Sequence, residues 1–290
     1  MAQPFDSTLR GPFEDLALSA DGKHLAITQD QKTADVWTKE LEHGPISKVS
    51  LLGGNNWAPA WSKDGRFITF MHADDAVASL WKASADGSGQ PIKLVEPKAR
   101  LNYGFASADG QWLIYQTATG RERTSTLIAQ RVSDTATIVI SDGTVTMINP
   151  RLSPDGHWLA YALAGAGTAE VVVSPFPNVN ASRAQVSVNG GILPVWSPTG
   201  TELFYRTSIQ SSAAMLIAAR IETSPTFRVI ERTPLFNVSQ FNGINGQGNS
   251  YDVSPDGTRF VMTRAIGDRA IRLMLVEHWA TELAGMGARQ

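Results

Sequence analysis

Six short segments of the chain repeat one pattern: Ser, any residue, Asp or Thr, then Gly, with apolar runs on both sides. The serines are Ser19, Ser62, Ser107, Ser153, Ser197 and Ser254; the glycines are Gly22, Gly65, Gly110, Gly156, Gly200 and Gly257. Asp precedes the Gly in five copies (Asp21, Asp64, Asp109, Asp155, Asp256), and Thr199 takes that place in the fifth. Successive glycines lie 43, 45, 46, 44 and 57 residues apart. Each residue type suits a tight turn. Ser bonds back to the backbone, Pro154, Pro198 and Pro255 preset φ, Asp tolerates the bridge region and Gly accepts positive φ. Flanking runs such as Trp158-Leu-Ala-Tyr and Leu203-Phe-Tyr have strand composition, so each copy reads as a β-hairpin.

Weaker apolar stretches follow each hairpin, for example Leu80-Trp-Lys-Ala and then Ile92-Lys-Leu-Val. Four strands in roughly 45 residues is the period of a propeller blade rather than of a helical solenoid. The expected fold is all-β: a six-bladed β-propeller of four-stranded antiparallel blades, one domain over residues 1–280 with a tail at 281–290. The last blade is predicted to hold strands near Tyr251–Ser254, Arg259–Thr263 and Ile271–Val276. Its missing outer strand is expected from the stretch around Gln3–Arg10, which would cover an open edge. Only Glu277–Met286 carries a helical period.

The Ser-Pro-Asp-Gly turn, with Pro-x-Trp-Ser leading into it at Pro59–Ser62 and Pro194–Ser197, resembles the TolB-type six-bladed propeller repeat. The resemblance runs over about residues 3–280. Val173-Ser-Pro-Phe-Pro, Gln185-Val-Ser, Glu202-Leu-Phe-Tyr-Arg, Pro234-Leu-Phe and Glu277-His-Trp look like bacterial propellers found C-terminal to serine/threonine protein kinases. That likeness implies a sensor or interaction domain of a larger signalling protein. Kinase signatures themselves are absent: there is no His-Arg-Asp and no Asp-Phe-Gly. A propeller fold alone implies no single activity.

Composition removes several classes of function. With 25 Lys and Arg against 27 Asp and Glu, the chain lacks the basic excess that nucleic-acid binding needs. Having no Cys, it has no disulfide framework, thiolate zinc site or cysteine nucleophile. No run of 18 apolar residues spans a membrane, and no basic region leads into an apolar signal segment. The expected setting is cytoplasmic for the chain as written, and periplasmic if it is excised from a longer membrane-anchored protein. A monomer without a cofactor is expected.

Linear catalytic motifs are equally sparse. Gly248-Asn-Ser250-Tyr-Asp252 fails the nucleophile-elbow pattern at its last position. The five histidines have no ligand spacing, and His72-Ala-Asp74-Asp75 reads as a solvated hairpin more readily than a metal site. Gly243, Gly246 and Gly248 lack the strand and helix that a phosphate-cradling loop requires. Trp61, Trp112, Trp158 and Trp196 lie in repeat strands and are expected to pack between blades.

The repeat breaks between Gly200 and Gly257, where the surplus lies in the Asn- and Gly-rich stretch 236–250. Long connections in compact folds are often functional. In a propeller, the segments leading into the innermost strands surround one mouth of a central channel. The residues they would present are Asn55 and Trp57; Arg100, Asn102 and Tyr103; Asn149 and Arg151; and Asn245, Asn249 and Tyr251. Amide, aromatic and guanidinium groups of this kind suit a protein segment or a small ligand. The expectation is a non-catalytic binding module with no metal. The alternative is a propeller lyase or hydrolase at the same mouth, with or without a divalent metal, for which Glu14, Asp15 and Asp252 are the nearest carboxylates.

Overall fold

The computed structural model describes residues 2–4, 12–30, 32–41, 44–74, 77–95, 100–118, 125–164, 167–208, 211–224, 226–241, 248–266 and 270–277. All its regular structure there is β. Strand β1 is Ala2–Pro4. Blade one is β2 (Phe13–Leu18), β3 (His24–Asp30), β4 (Ala34–Glu40) and β5 (Ile46–Lys48). Blade two is β6 (Asn55–Trp61), β7 (Phe67–Asp74), β8 (Val77–Ser84) and β9 (Ile92–Val95). Blade three is β10 (Arg100–Ala106), β11 (Trp112–Ala118), β12 (Ser125–Arg131) and β13 (Thr137–Ser141). Blade four is β14 (Met147–Leu152), β15 (Trp158–Leu163), β16 (Glu170–Pro175) and β17 (Ala184–Gln185). Blade five is β18 (Ile192–Trp196), β19 (Glu202–Arg206), β20 (Met215–Glu222) and β21 (Arg228–Asn237). The sixth holds β22 (Tyr251–Val253), β23 (Phe260–Ile266) and β24 (Ala270–Val276).

Each blade is an antiparallel sheet in sequence order, and the sixth runs β1-β24-β23-β22. In that sheet Ala2 pairs with Val276 and Pro4 with Met274. Six four-stranded antiparallel blades make this a β-propeller. The chain divides into two compact units, one with blades one to three (Gly11–Thr146, Ile244–Ser250) and one with blades four to six (Met1–Arg10, Met147–Gly243, Tyr251–Gln290). The predicted helix at Glu277–Met286 lies outside the described residues beyond its first position, as does the tail 281–290. Among the described residues no helix is long and apolar enough to cross a membrane.

The repeated turn explains itself atom by atom. In blade one, Gly22 N–H donates to Ser19 O at 2.9 Å and Ser19 Oγ donates to Asp21 Oδ1. The same carboxylate accepts from Lys23 N–H at 2.9 Å, and His24 N–H returns to Ser19 Oγ at 3.0 Å. Gly22 closes the turn at φ 67°, a left-handed conformation that costs other residues energy. Where Thr199 replaces Asp, the hydroxyl meets Ser197 Oγ at 3.2 Å and Thr201 Oγ1 at 2.7 Å. Ser and Asp here are turn architecture.

Apolar strand faces pack between blades. Ala160, Val171, Val173, Trp196, Leu203 and Ile217 form one such core across blades four and five. Tryptophan adds a polar tie. Trp61 Nε1 donates to Ala17 O of the preceding blade at 2.9 Å, and Trp196 Nε1 donates to Arg151 O at 3.0 Å. An amphipathic indole thus fills the gap and satisfies a strand carbonyl at once.

Candidate functional site

The heads of the innermost strands share a deformation. Register shifts interrupt the first strand of blades one to five, between Phe13 and Leu16, Trp57 and Ala60, Leu101 and Tyr103, Ile148 and Arg151, and Ile192 and Val195. Three residues there adopt left-handed backbone: Ala58 (φ 53°), Asn149 (φ 48°) and Leu193 (φ 54°). Each stands four residues before its repeat Ser and directly before a proline (Pro59, Pro150, Pro194). Proline lacks a ladder donor and disfavours the right-handed helical conformation in the residue before it. Non-glycine residues held left-handed cost about 1–3 kcal/mol, and such strain clusters at functional sites.

In the unit of blades one to three, the equivalent position in blade one is Asp15, a buried carboxylate. Its Oδ2 accepts the Ala58 N–H at 3.0 Å, so it bridges blades one and two. Gly248 packs on that carboxylate so closely that a Cβ would collide with it. Next to it, Leu16 N–H donates to Asn249 O at 2.8 Å. The end of the long connection is therefore seated on blade one.

Asn55 and Asn56 serve a neighbouring junction. Asn55 Oδ1 accepts Ala34 N–H at 3.1 Å. Buried Asn56 donates to Asp35 Oδ1 at 3.2 Å and meets His72 Nδ1 at 2.9 Å. Asp35 in turn pairs with Lys48 at 2.7 Å. Burial pushes the His72 imidazole below its ordinary pKa, while Asp74 acts in the opposite sense. His72 also meets the edge of Trp81, with ring centroids 5.6 Å apart.

Trp57 and Asn102 are half-buried, and Tyr103 is buried with its ring 5.7 Å from Phe105. Arg100 is placed by its backbone, opposite Ala118, and its side chain lies outside the described residues. Asn245 lies outside them too. Among the described residues no group of three or more His, Asp and Glu side chains is arranged to hold a metal ion.

In the unit of blades four to six, Asn149 is buried with 7% of its surface exposed, and its Oδ1 has no hydrogen-bond partner among the described residues. Arg151 folds back so that Nη1 donates to Pro150 O at 2.8 Å. Tyr251 is buried and donates to Leu193 O at 2.6 Å. Burial raises its phenol pKa well above the ordinary value, although Arg206 and Arg151 pull the other way.

Arg206 was not singled out by the sequence reading, yet it is the largest fully buried side chain. Its Nη2 donates to Val238 O at 3.1 Å and Phe241 O at 3.3 Å, which anchors the start of the long connection. Burial lowers its pKa, partly offset by Tyr251. The available signal was a cation ending the apolar run Leu203-Phe-Tyr.

Comparison with known proteins bears on the fold. The TolB beta propeller domain matches residues 16–232. No curated protein matches the chain. Among solved structures, a putative TolB from Agrobacterium tumefaciens is similar at 17% identity and TM-score 0.67, covering 91% of this chain and 90% of that one. TolB from Acinetobacter baumannii is similar at 13% identity and TM-score 0.63, covering 92% of this chain and 64% of that one. An oligogalacturonate lyase from Vibrio parahaemolyticus is similar at 12% identity and TM-score 0.61, covering 95% and 93%. At these identities the likeness is one of fold.

Proposed function

The chain belongs to the TolB β-propeller domain family, and on that premise we propose that it is a non-catalytic binding module that recognises a segment of a partner protein at the heads of its innermost strands. The observation that carries this is the Asn149 side chain. A buried amide oxygen without a donor costs about 1–3 kcal/mol; this one has none among the described residues and sits on a left-handed residue. The oxygen itself is enclosed, so a partner's peptide N–H would complete it once the strand head shifts to admit it. Arg151, two residues on and folded onto Pro150 O, adds a positive charge at the same strand head.

The resemblance of Val173–Pro177 and Glu202–Arg206 to propellers found C-terminal to serine/threonine kinases supports a role as the sensor domain of a larger signalling protein. The catalytic alternative rests on fold likeness to oligogalacturonate lyases, which assigns no residue of this chain a role.

Panning a random heptapeptide phage library on the full chain tests the binding reading. Enriched peptides are expected to bind with micromolar Kd and to lose about tenfold or more with Asn149→Ala or Arg151→Ala. Failure of any peptide to enrich, or equal affinity in both folded variants, overturns it.

A further inference from the structure

Neighbouring blades within a unit leave a seam beside their repeat turns, and two seams are closed by the chain itself. Between blades one and two, the β8–β9 turn reaches across, and Ala85 O accepts from Thr38 Oγ1 at 3.0 Å. Between blades four and five, the β20–β21 connection sends Phe227 against Trp158, with ring centroids 5.2 Å apart. The seam between blades two and three has no such cover among the described residues. Its β12–β13 turn folds onto its own blade, Arg131 N–H bonding to Ala136 O and Val132 N–H to Gln111 O.

Phe67 stands five residues after its repeat Ser, as Trp158 does in blade four. Among the described residues no other ring meets it; two cations do, Lys82 Nζ 4.6 Å and the Arg66 guanidinium carbon 5.5 Å from its centroid. The result is a groove of about 570 Å³ with Phe67, Leu94, Leu113 and Val132 as apolar lining. Lys63 and Lys82 also line it. Of the groove's two carboxylates, Asp64 is ion-paired with Arg66 at 2.6 Å, and Asp109 is turned into its own turn by Ser107 Oγ and Gln111 N–H, bonds that hold it without cancelling its charge. Neither lysine has a carboxylate within ion-pair distance among the described residues.

We propose that this groove is a second docking site, which takes an acidic segment of a partner protein and seats one of its aromatic side chains against Phe67. The chain supplies the precedent, because blade five fills the equivalent seat beside Trp158 with its own phenylalanine. An aromatic anchor in a pocket with charges at the rim is the usual energetic plan of such contacts, and two lysines with no carboxylate partner among the described residues select acidic flanks. The groove shares no residue with Asn149 and Arg151, so either site can fail without the other.

Fluorescence anisotropy of the full chain with the dye-labelled pentapeptide Asp-Glu-Phe-Glu-Asp tests this. Saturable binding with a Kd at or below about 1 mM is expected, with the Asp-Glu-Ala-Glu-Asp peptide about tenfold weaker or worse. Lys82→Glu should weaken binding about threefold to tenfold, and Asn149→Ala should leave it unchanged. Val132→Trp, at a position 49% exposed, places a ring in the seat and should block the peptide. Unchanged melting temperatures show that the variants are folded. The proposal is overturned by no saturable binding, or by full binding to both folded groove variants. It also falls if free N-acetylphenylalaninamide competes as well as the peptide, which would mark a small-molecule pocket.

Discussion

The phenol of Tyr251 donates a 2.6 Å hydrogen bond to the carbonyl of Leu193, itself one of the three left-handed residues. Both groups are buried, so removing the donor strands an acceptor. Tyr251→Phe should cost about 1–2 kcal/mol, lowering Tm by about 2–6 °C in calorimetry at this chain length. An unchanged Tm would mean the bond does not brace the strand head.

Arg206 holds two loop carbonyls from a fully buried position. Arg206→Met leaves both without that donor, an expected loss of about 2–3 kcal/mol. Amide exchange at Val238 and Phe241, whose N–H groups bond to Ala214 O and Val238 O, should accelerate beyond the global change. Uniform acceleration would show that Arg206 has no local anchoring role.

Blade five lacks the turn carboxylate, and Thr199 relays a hydroxyl contact in its place. Thr199→Asp restores an acceptor for Ser197 Oγ and the backbone N–H of residue 201. A gain of roughly 0.5–1 kcal/mol is expected in urea denaturation. A loss would show that the turn in this blade has diverged in geometry.

Acid should weaken the same turns. The Ser62 hydroxyl, with Arg66, holds the Asp64 carboxyl at about 2. The Ser254 hydroxyl, with Thr258 N–H, does the same for Asp256, again at about 2. Unfolded Asp titrates at about 3.9, so the folded chain binds fewer protons in between. Their contribution is complete above about pH 4 and disappears as pH falls through about 2. Thermal melts across that window should show Tm dropping, and Ser62→Ala with Ser254→Ala should flatten the drop.

What the sequence disclosed and what it hid divide by distance along the chain. The turns were legible because Ser19, Asp21 and Gly22 satisfy one another within a few residues. Blade count and the packing of Trp61 and Trp196 followed from the same period. The amide oxygen of Asn55 accepts Ala34 N–H, 21 residues back in the preceding blade, a partner that no local pattern announces. Arg206 escaped notice for a similar reason, since its acceptors lie 32 and 35 residues onward. Pairings across blade boundaries leave no local spacing to read. Asn149 is different: its place before Pro150 and Ser153 is plain in the sequence, and only coordinates reveal that its side-chain oxygen is buried without a donor among the described residues.

The two indole ties both point backwards. Ala17 O waits for a donor 44 residues downstream, and Arg151 O for one 45 residues downstream. During translation at about 5–20 residues per second, each of those carbonyls stays open for some seconds until the following repeat emerges. A blade at the ribosome exit is therefore finished by its successor, which makes the growing edge the vulnerable one and favours vectorial, repeat-by-repeat assembly.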